Sequence, residues 1–172
     1  MKYYIAALIK FTDHPCDFLG GNLYCHNINY FREMEFKQIH RQYEGTALSK
    51  KKNNIEINFV ITDPFPAFCM YSVEVKSQNK PHIQITDERL KKFGKYAVIV
   101  TDVKEFLKRI NQYQPKFLYQ SVRYINYDDQ EKKSILNYEP ITIKYDYFRY
   151  EHEFRIFSYK YLLLKETLDK IP

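Results

Sequence analysis

Followed by where its apolar positions fall, the chain opens on YYIAALIKF, residues 3–11, a run of strand formers broken at Thr12 and Asp13 before a brief helical turn that ends near Gly20 and Gly21. NLYCHNI at 22–28 sets Leu23, Cys25 and Asn27 against Tyr24 and His26, the alternation of a further short strand. From 29 to 43, Tyr30, Phe31, Met34, Ile39 and Tyr43 fit one or two short helices closing at Gly45. INFVIT at 57–62 and AFCMYSVEV at 67–75 predict two neighbouring sheet strands separated by Pro64 and Pro66. Asp87 caps a short helix that Gly94 ends, and YAVIV at 96–100 reads as a fully buried strand. The clearest helix is TDVKEFLKRINQ at 101–112: Asp102 and Glu105 form a capping box, and Val103, Phe106, Leu107 and Ile110 make one stripe. SVRYINYD at 121–128 predicts a strand, ITIKYDYF at 141–148 leaves its type open, and EHEFRIFSYKYLLL at 151–164 predicts a last strand. Short strands and helices without regular alternation predict an α+β fold, one domain over residues 1–172, with a mixed or mainly antiparallel sheet.

Composition narrows this only modestly. A chain of 172 residues supports one hydrophobic core, and 17 Tyr with 13 Phe exclude a low-complexity sequence. The net charge of +6 permits contact with a nucleic acid without requiring it. Cys16, Cys25 and Cys69 form no CxxC pair, and the start MKYYIAALIKF lacks the features of a signal peptide, which predicts a reduced, cytoplasmic protein. No apolar run approaches the roughly 20 residues a membrane span needs, so no membrane contact is expected.

Motifs for phosphate loops, dinucleotide folds, zinc hydrolases and nucleophile elbows are absent from the sequence. What stands out is YEHEFRI at 150–156. As a strand it lines Glu151, Glu153 and Arg155 along one face and Phe154 and Ile156 along the other. Such a row is either the solvated face of an edge strand or the wall of a site, where carboxylates about 7 Å apart divide acid and base roles and Arg155 grips a carboxylate or phosphate. NLYCHNINYFRE supplies Tyr24, Asn27, Tyr30, Phe31 and Arg32, aromatics for a planar ring and a cation for an anion, although any one aromatic is as readily core. Lys50, Lys51 and Lys52 read as a solvated turn before a phosphate contact. Cys69, between apolar flanks, reads as a small core residue. No metal ligands are assigned: a metal-dependent nuclease would need a lysine beside its acid pair, and Arg155 stands there instead.

The order IKFTD, GGNLYCHNINYFR, AFCMYS, FGKYAVIVTDVKEFLKRIN, VRYINYD and YEHEFRI resembles the AbiGi group of abortive phage-resistance proteins and related bacterial proteins. More distantly the chain is similar to ADP-ribosyltransferase-like domains of the DarT type. That resemblance implies an ADP-ribosyltransferase-like fold and a toxin or effector that moves ADP-ribose from NAD to a nucleic acid or protein. It implies Glu153, or failing that Glu151, as the essential acid, Tyr24 and Tyr30 flanking the nicotinamide, and Lys10, Thr12 and Arg32 meeting ribose or pyrophosphate. The first strand ends in Lys10, Phe11 and Thr12, where such transferases place an arginine or histidine. A non-catalytic binding protein of phage defence or counter-defence, which captures a nucleotide, nucleic acid or protein, is therefore the rival expectation.

Overall fold

A computed structural model describes residues 3–39, 46–48, 58–60, 66–76, 87–112, 117–125 and 140–158. They form an α+β fold around an antiparallel sheet. Its strands are β1 (Tyr3–Thr12), β2 (His26–Asn27), β5 (Pro66–Lys76), β6 (Tyr96–Val100), β7 (Leu118–Ser121) and β10 (Glu153–Phe157), in the order β6-β1-β5-β10-β7 with β2 also on β5. Three helices, α1 (Pro15–Leu19), α2 (Ile28–Ile39) and α3 (Val103–Gln112), pack beside it. The short pairs β3 (Thr46–Leu48) with β4 (Asn58–Val60), and β8 (Arg123–Ile125) with β9 (Ile143–Tyr145), complete the described strands.

Alternation along β5 and β10 gives the sheet two faces. One carries Phe68, Met70, Phe154 and Ile156 with Leu8 of β1, and α3 closes it with Val103, Phe106, Leu107 and Ile110, the stripe expected from the sequence. Asp102 Oδ1 accepts from the Glu105 N–H at 2.9 Å, so one half of the expected capping box is formed. The other face carries Ala67, Cys69 and Phe157, covered by Ile28 and Phe31 of α2 and by Ile141 from the 3₁₀ turn Pro140–Thr142. Burying a Leu, Ile or Phe side chain contributes roughly 1.5–3 kcal/mol, so both layers hold β10 strongly from either side.

Register explains an opening in the sheet. β10 runs along one edge of β5 from Ala67 to Tyr71. β1 pairs with the other edge only from Tyr71 onward, and β2 meets that edge only at Pro66 and Ala67. Phe68, Cys69 and Met70 therefore have no strand on that side among the described residues. Backbone groups in such a gap need other partners, and the Lys10 ammonium donates to the Cys69 carbonyl at 3.0 Å.

Several expectations change. The expected pairing of 57–62 with 67–75 is not formed among the described residues, where β4 pairs with β3. β6 is a strand but an edge strand, with Tyr96 and Ile99 half exposed, so it is not fully buried. NLYCHNI is extended as a strand only at His26 and Asn27, and α2 is one helix from Ile28 to Ile39. SVRYI, the described part of SVRYINYD, divides between β7 and β8, with 126–128 outside the described residues, and ITIKYDYF becomes a 3₁₀ turn, β9 and another 3₁₀ turn, Asp146–Glu151. The expected ends at Tyr43 and Gly45, the Lys50–Lys52 turn and the continuation of the last strand beyond Ser158 lie outside the described residues. No helix among the described residues is long and apolar enough to cross a membrane.

Candidate functional site

β10 is an interior strand between β5 and β7, and all five of its residues are buried. This overturns the solvated-edge reading of YEHEFRI. Glu153 and Arg155 do share a face, as period-two alternation requires. Glu151 lies two residues before Glu153, at the end of the 3₁₀ turn Asp146–Glu151, and His152 joins the two in the left-handed conformation (φ 39°, ψ 47°). The His152 carbonyl accepts from both the N–H and the hydroxyl of Ser72, at 2.7 and 2.8 Å, which holds this uncommon backbone in place.

Charges then converge. Arg155, wholly enclosed, grips Glu153 through Nε to Oε1 at 2.8 Å and Nη2 to Oε2 at 3.1 Å, and its Nη1 donates to the Ile141 carbonyl. Lys144, arriving from β9, places its ammonium 2.5 Å from Glu151 Oε2 and 3.1 Å from Glu153 Oε2. Burial pushes the Glu153 carboxyl up, but Arg155 and then Lys144 pull it well below the usual carboxylate range, helped by a hydrogen bond from the Cys69 thiol. Lys92, from the 3₁₀ turn Glu88–Phe93, stands 3.7 Å from Glu151 Oε1 and bonds the Tyr150 hydroxyl at 2.7 Å.

These groups wall a cavity of about 320 Å³ at the gap in the sheet. Glu151, Glu153, Lys144, Lys92 and Lys10 line it, with Glu35 of α2. Opposite stand Tyr24, His26, Tyr30 and Phe31, where the His26 ring stacks on Tyr30 at 3.9 Å and meets Tyr24 edge-on at 4.9 Å. Burial pulls the His26 pKa down, with Lys10 adding to it. Tyr24 is 75% exposed and stands at the rim. Lys10 is the most informative cation: burial lowers its pKa, and among the described residues its ammonium has the Cys69 carbonyl and the Phe68 ring face, 4.6 Å away, but no carboxylate in ion-pair contact. Among the described residues, three lysines and Arg155 behind them face three glutamates, a formal balance of 3 + 1 − 3 = +1 that favours an anionic ligand.

Glu151, Glu153, Lys10, Tyr24 and Tyr30, all singled out in the sequence, thus meet in one place. Four others do not line the cavity. Thr12 Oγ1 accepts the His14 N–H at 3.0 Å and shapes the turn after β1. Asn27 Oδ1 accepts the Tyr30 N–H at 2.9 Å, in the manner of a helix cap. The Arg32 guanidinium bonds Asn29 Oδ1 at 3.2 Å along α2, and Arg155 serves Glu153 from behind. Cys69 lines the cavity, and burial followed by the Glu153 charge pushes its thiol well up, so it is a poor nucleophile.

Sequence reasoning missed Lys144 and Lys92. A lysine inside the otherwise apolar and aromatic ITIKYDYF was the available signal for Lys144, whereas Lys92 cannot be told in sequence from any other lysine of a polar turn. No family model, no curated protein and no solved structure matches this chain.

Proposed function

We propose that this protein is an ADP-ribosyltransferase-like effector in conflict between phage and bacterium, which binds NAD in the cavity and transfers ADP-ribose to a nucleic acid or a protein. The observation that carries the reading is the convergence of Glu151, Glu153, Lys10, Tyr24 and Tyr30 on a single cavity, although they are drawn from the two ends of the chain. An early strand, a short helix and a late strand bearing Glu153 follow the order that such transferases show, whereas Tyr24 precedes β2 and Tyr30 lies in α2, so the aromatics stand beside a strand instead of on one. The volume of about 320 Å³ lies at the small end of ligand pockets, enough for the reacting half of a dinucleotide.

In this reading the aromatic wall takes the planar ring and the Lys10 ammonium takes an anionic oxygen of the ligand. Glu151 is the carboxylate that meets the reacting ribose, because Glu153 is already gripped by Arg155, Lys144 and Cys69 and is too weak a base to accept a proton. The bond from ribose C1′ to the nicotinamide nitrogen breaks with its electron pair leaving on nitrogen. The oxocarbenium-like ribose is stabilised by the nearby carboxylate, and the acceptor's nucleophile bonds to C1′ as its proton passes to the Glu151 carboxylate. Incubation with NAD labelled in its adenylate half tests this. Nicotinamide release and labelled macromolecules are expected, with a loss of about 10²-fold in Glu151→Gln; no release from folded protein overturns it.

A rival reading has its own support. The saturation of Glu153 by its cations suits a rigid binding pocket as well as a catalytic one, so capture of a nucleotide without turnover is the alternative. It is distinguished by measurable nucleotide affinity with no nicotinamide released.

A further inference from the structure

Two carboxylates aimed at one point in an enclosed site repel each other strongly unless a cation stands between them. Carboxylate-pair enzymes commonly put a divalent metal ion there, held by oxygen ligands. In this chain the point is taken by a side chain: the Lys144 ammonium lies 2.5 Å from Glu151 Oε2 and 3.1 Å from Glu153 Oε2, 5.0 Å from the Phe148 ring centre, with its side chain 8% exposed. Arg155 does not fill that role, since its fork closes on Glu153 and its Nη1 is turned to the Ile141 carbonyl. Lys92 does not fill it either, since it approaches the other oxygen of Glu151, at 3.7 Å, and its side chain is 34% exposed.

We propose that Lys144 is the positioning residue of the site, a built-in counter-cation that fixes Glu151 at the cavity edge and lets the acid pair work without a divalent ion. The proposal deepens the transferase reading and rests on it for its kinetic arm alone. Lys144 comes from β9 and not from the segment that carries the acids. It reaches the acids because β9 pairs in parallel with β8, whose Tyr124 hydroxyl accepts the Glu153 N–H at 2.7 Å and docks the pair against β10.

Among the described residues, groups that face Lys144 come from four elements: Glu151 and Tyr150 from the turn after β9, Glu153 and Arg155 from β10, Lys92 from the Glu88–Phe93 turn, and Tyr124 from β8. With Lys144 the formal charge of this group is 3 − 2 = +1, and without it 2 − 2 = 0, with no ammonium between the two Oε2 atoms. Removal of the ammonium therefore acts on both acids at once.

The test compares the native full-length chain with Lys144→Gln and Lys144→Arg, with and without a chelator. Native nicotinamide release is expected to be indifferent to chelator. In Lys144→Gln, kcat is expected to fall by about 10²-fold while KM moves by less than roughly threefold, the mark of a group acting on the reacting centre rather than on binding. Lys144→Arg recovers part of the loss. Another readout needs no turnover: the carboxyl carbon signal of Glu153 titrates at higher pH in Lys144→Gln than in the native chain. Should Lys144→Gln not fold, the double variant Lys144→Gln with Glu153→Gln removes the charge and one partner together, and kcat is expected to stay depressed. Native activity abolished by chelator, or folded Lys144→Gln with kcat and the Glu153 titration both unchanged, overturns the proposal. Absence of native nicotinamide release leaves the Glu153 titration as its judge, so the two readings fail separately.

Discussion

Arg155→Met isolates the interaction on which the deep end of the site depends. The guanidinium is wholly enclosed, with two hydrogen bonds to the Glu153 carboxylate, at 2.8 and 3.1 Å, and one to the Ile141 carbonyl. Methionine fills much of the same volume, so the cavity contribution is small and the loss is electrostatic. It leaves a buried carboxylate with Lys144 as the nearer remaining cation and a buried carbonyl without this donor. Breaking a buried pair on one side costs about 3–5 kcal/mol. For a chain of 172 residues each kcal/mol moves Tm by about 2–4 °C. The expected fall is therefore roughly 6–20 °C, followed by far-UV circular dichroism, because there is no Trp to report by fluorescence. The exposed Arg89, paired with Asp87 at 2.6 Å, is the control, and Arg89→Met should melt close to the native temperature. The acid limb adds a signed check. Burial raises the Glu153 carboxyl but Arg155 and Lys144 lower it more, so its folded value lies below the ordinary 4.5. Stability from this group is present above 4.5 and is lost as pH falls below it towards the folded value. In Arg155→Met that loss should be smaller and begin nearer the ordinary value. A melting temperature no lower than that of the Arg89→Met control, with an unchanged acid limb, would refute the reasoning.

Lys10→Met should separate function from stability: loss of the buried ammonium relieves its desolvation but leaves the Cys69 carbonyl without this donor, so the two offset and folding changes little while affinity for a nucleotide falls about tenfold, read by calorimetric titration. The sign of the desolvation follows from the lowered folded pKa, since the cost of a buried ammonium is present at neutral pH and is relieved only as pH rises through that value. Gly94→Ala should lower Tm and weaken nucleotide binding together, because at φ +149° an added Cβ would meet the Thr12 backbone at 2.3 Å and displace the turn that carries Lys92 and Phe93. Tyr24→Ala, at a 75% exposed rim position, should leave urea unfolding within about 0.5 kcal/mol of native and weaken only ligand binding.

Those variants address the site from the elements that local pattern revealed most plainly. β1, α3 and the Asp87-capped turn were legible because each is fixed by its own residues: an apolar run, a capping box with a helical stripe, and a cap with a closing Gly94. The row of Glu153 and Arg155 was legible for the same reason, since alternation is local. What the sequence could not convey was which strands are neighbours. β10 proved interior because β5 and β7 flank it, and β6 proved half exposed because only β1 does among the described strands. Lys144 escaped notice because its meaning depends on a parallel pairing of β9 with β8 that no short-range signal encodes. Thr12, Asn27 and Arg32 were over-read, since residues suited to an anion or a sugar are equally suited to turning a chain or capping a helix. The same distinction accounts for where the cavity lies. One edge of β5 is taken by β1 and β2 in turn, and among the described residues the three positions between their registers have no strand there; the chain answers that gap with Lys10, and so a backbone need and a cation for ligand meet in one side chain.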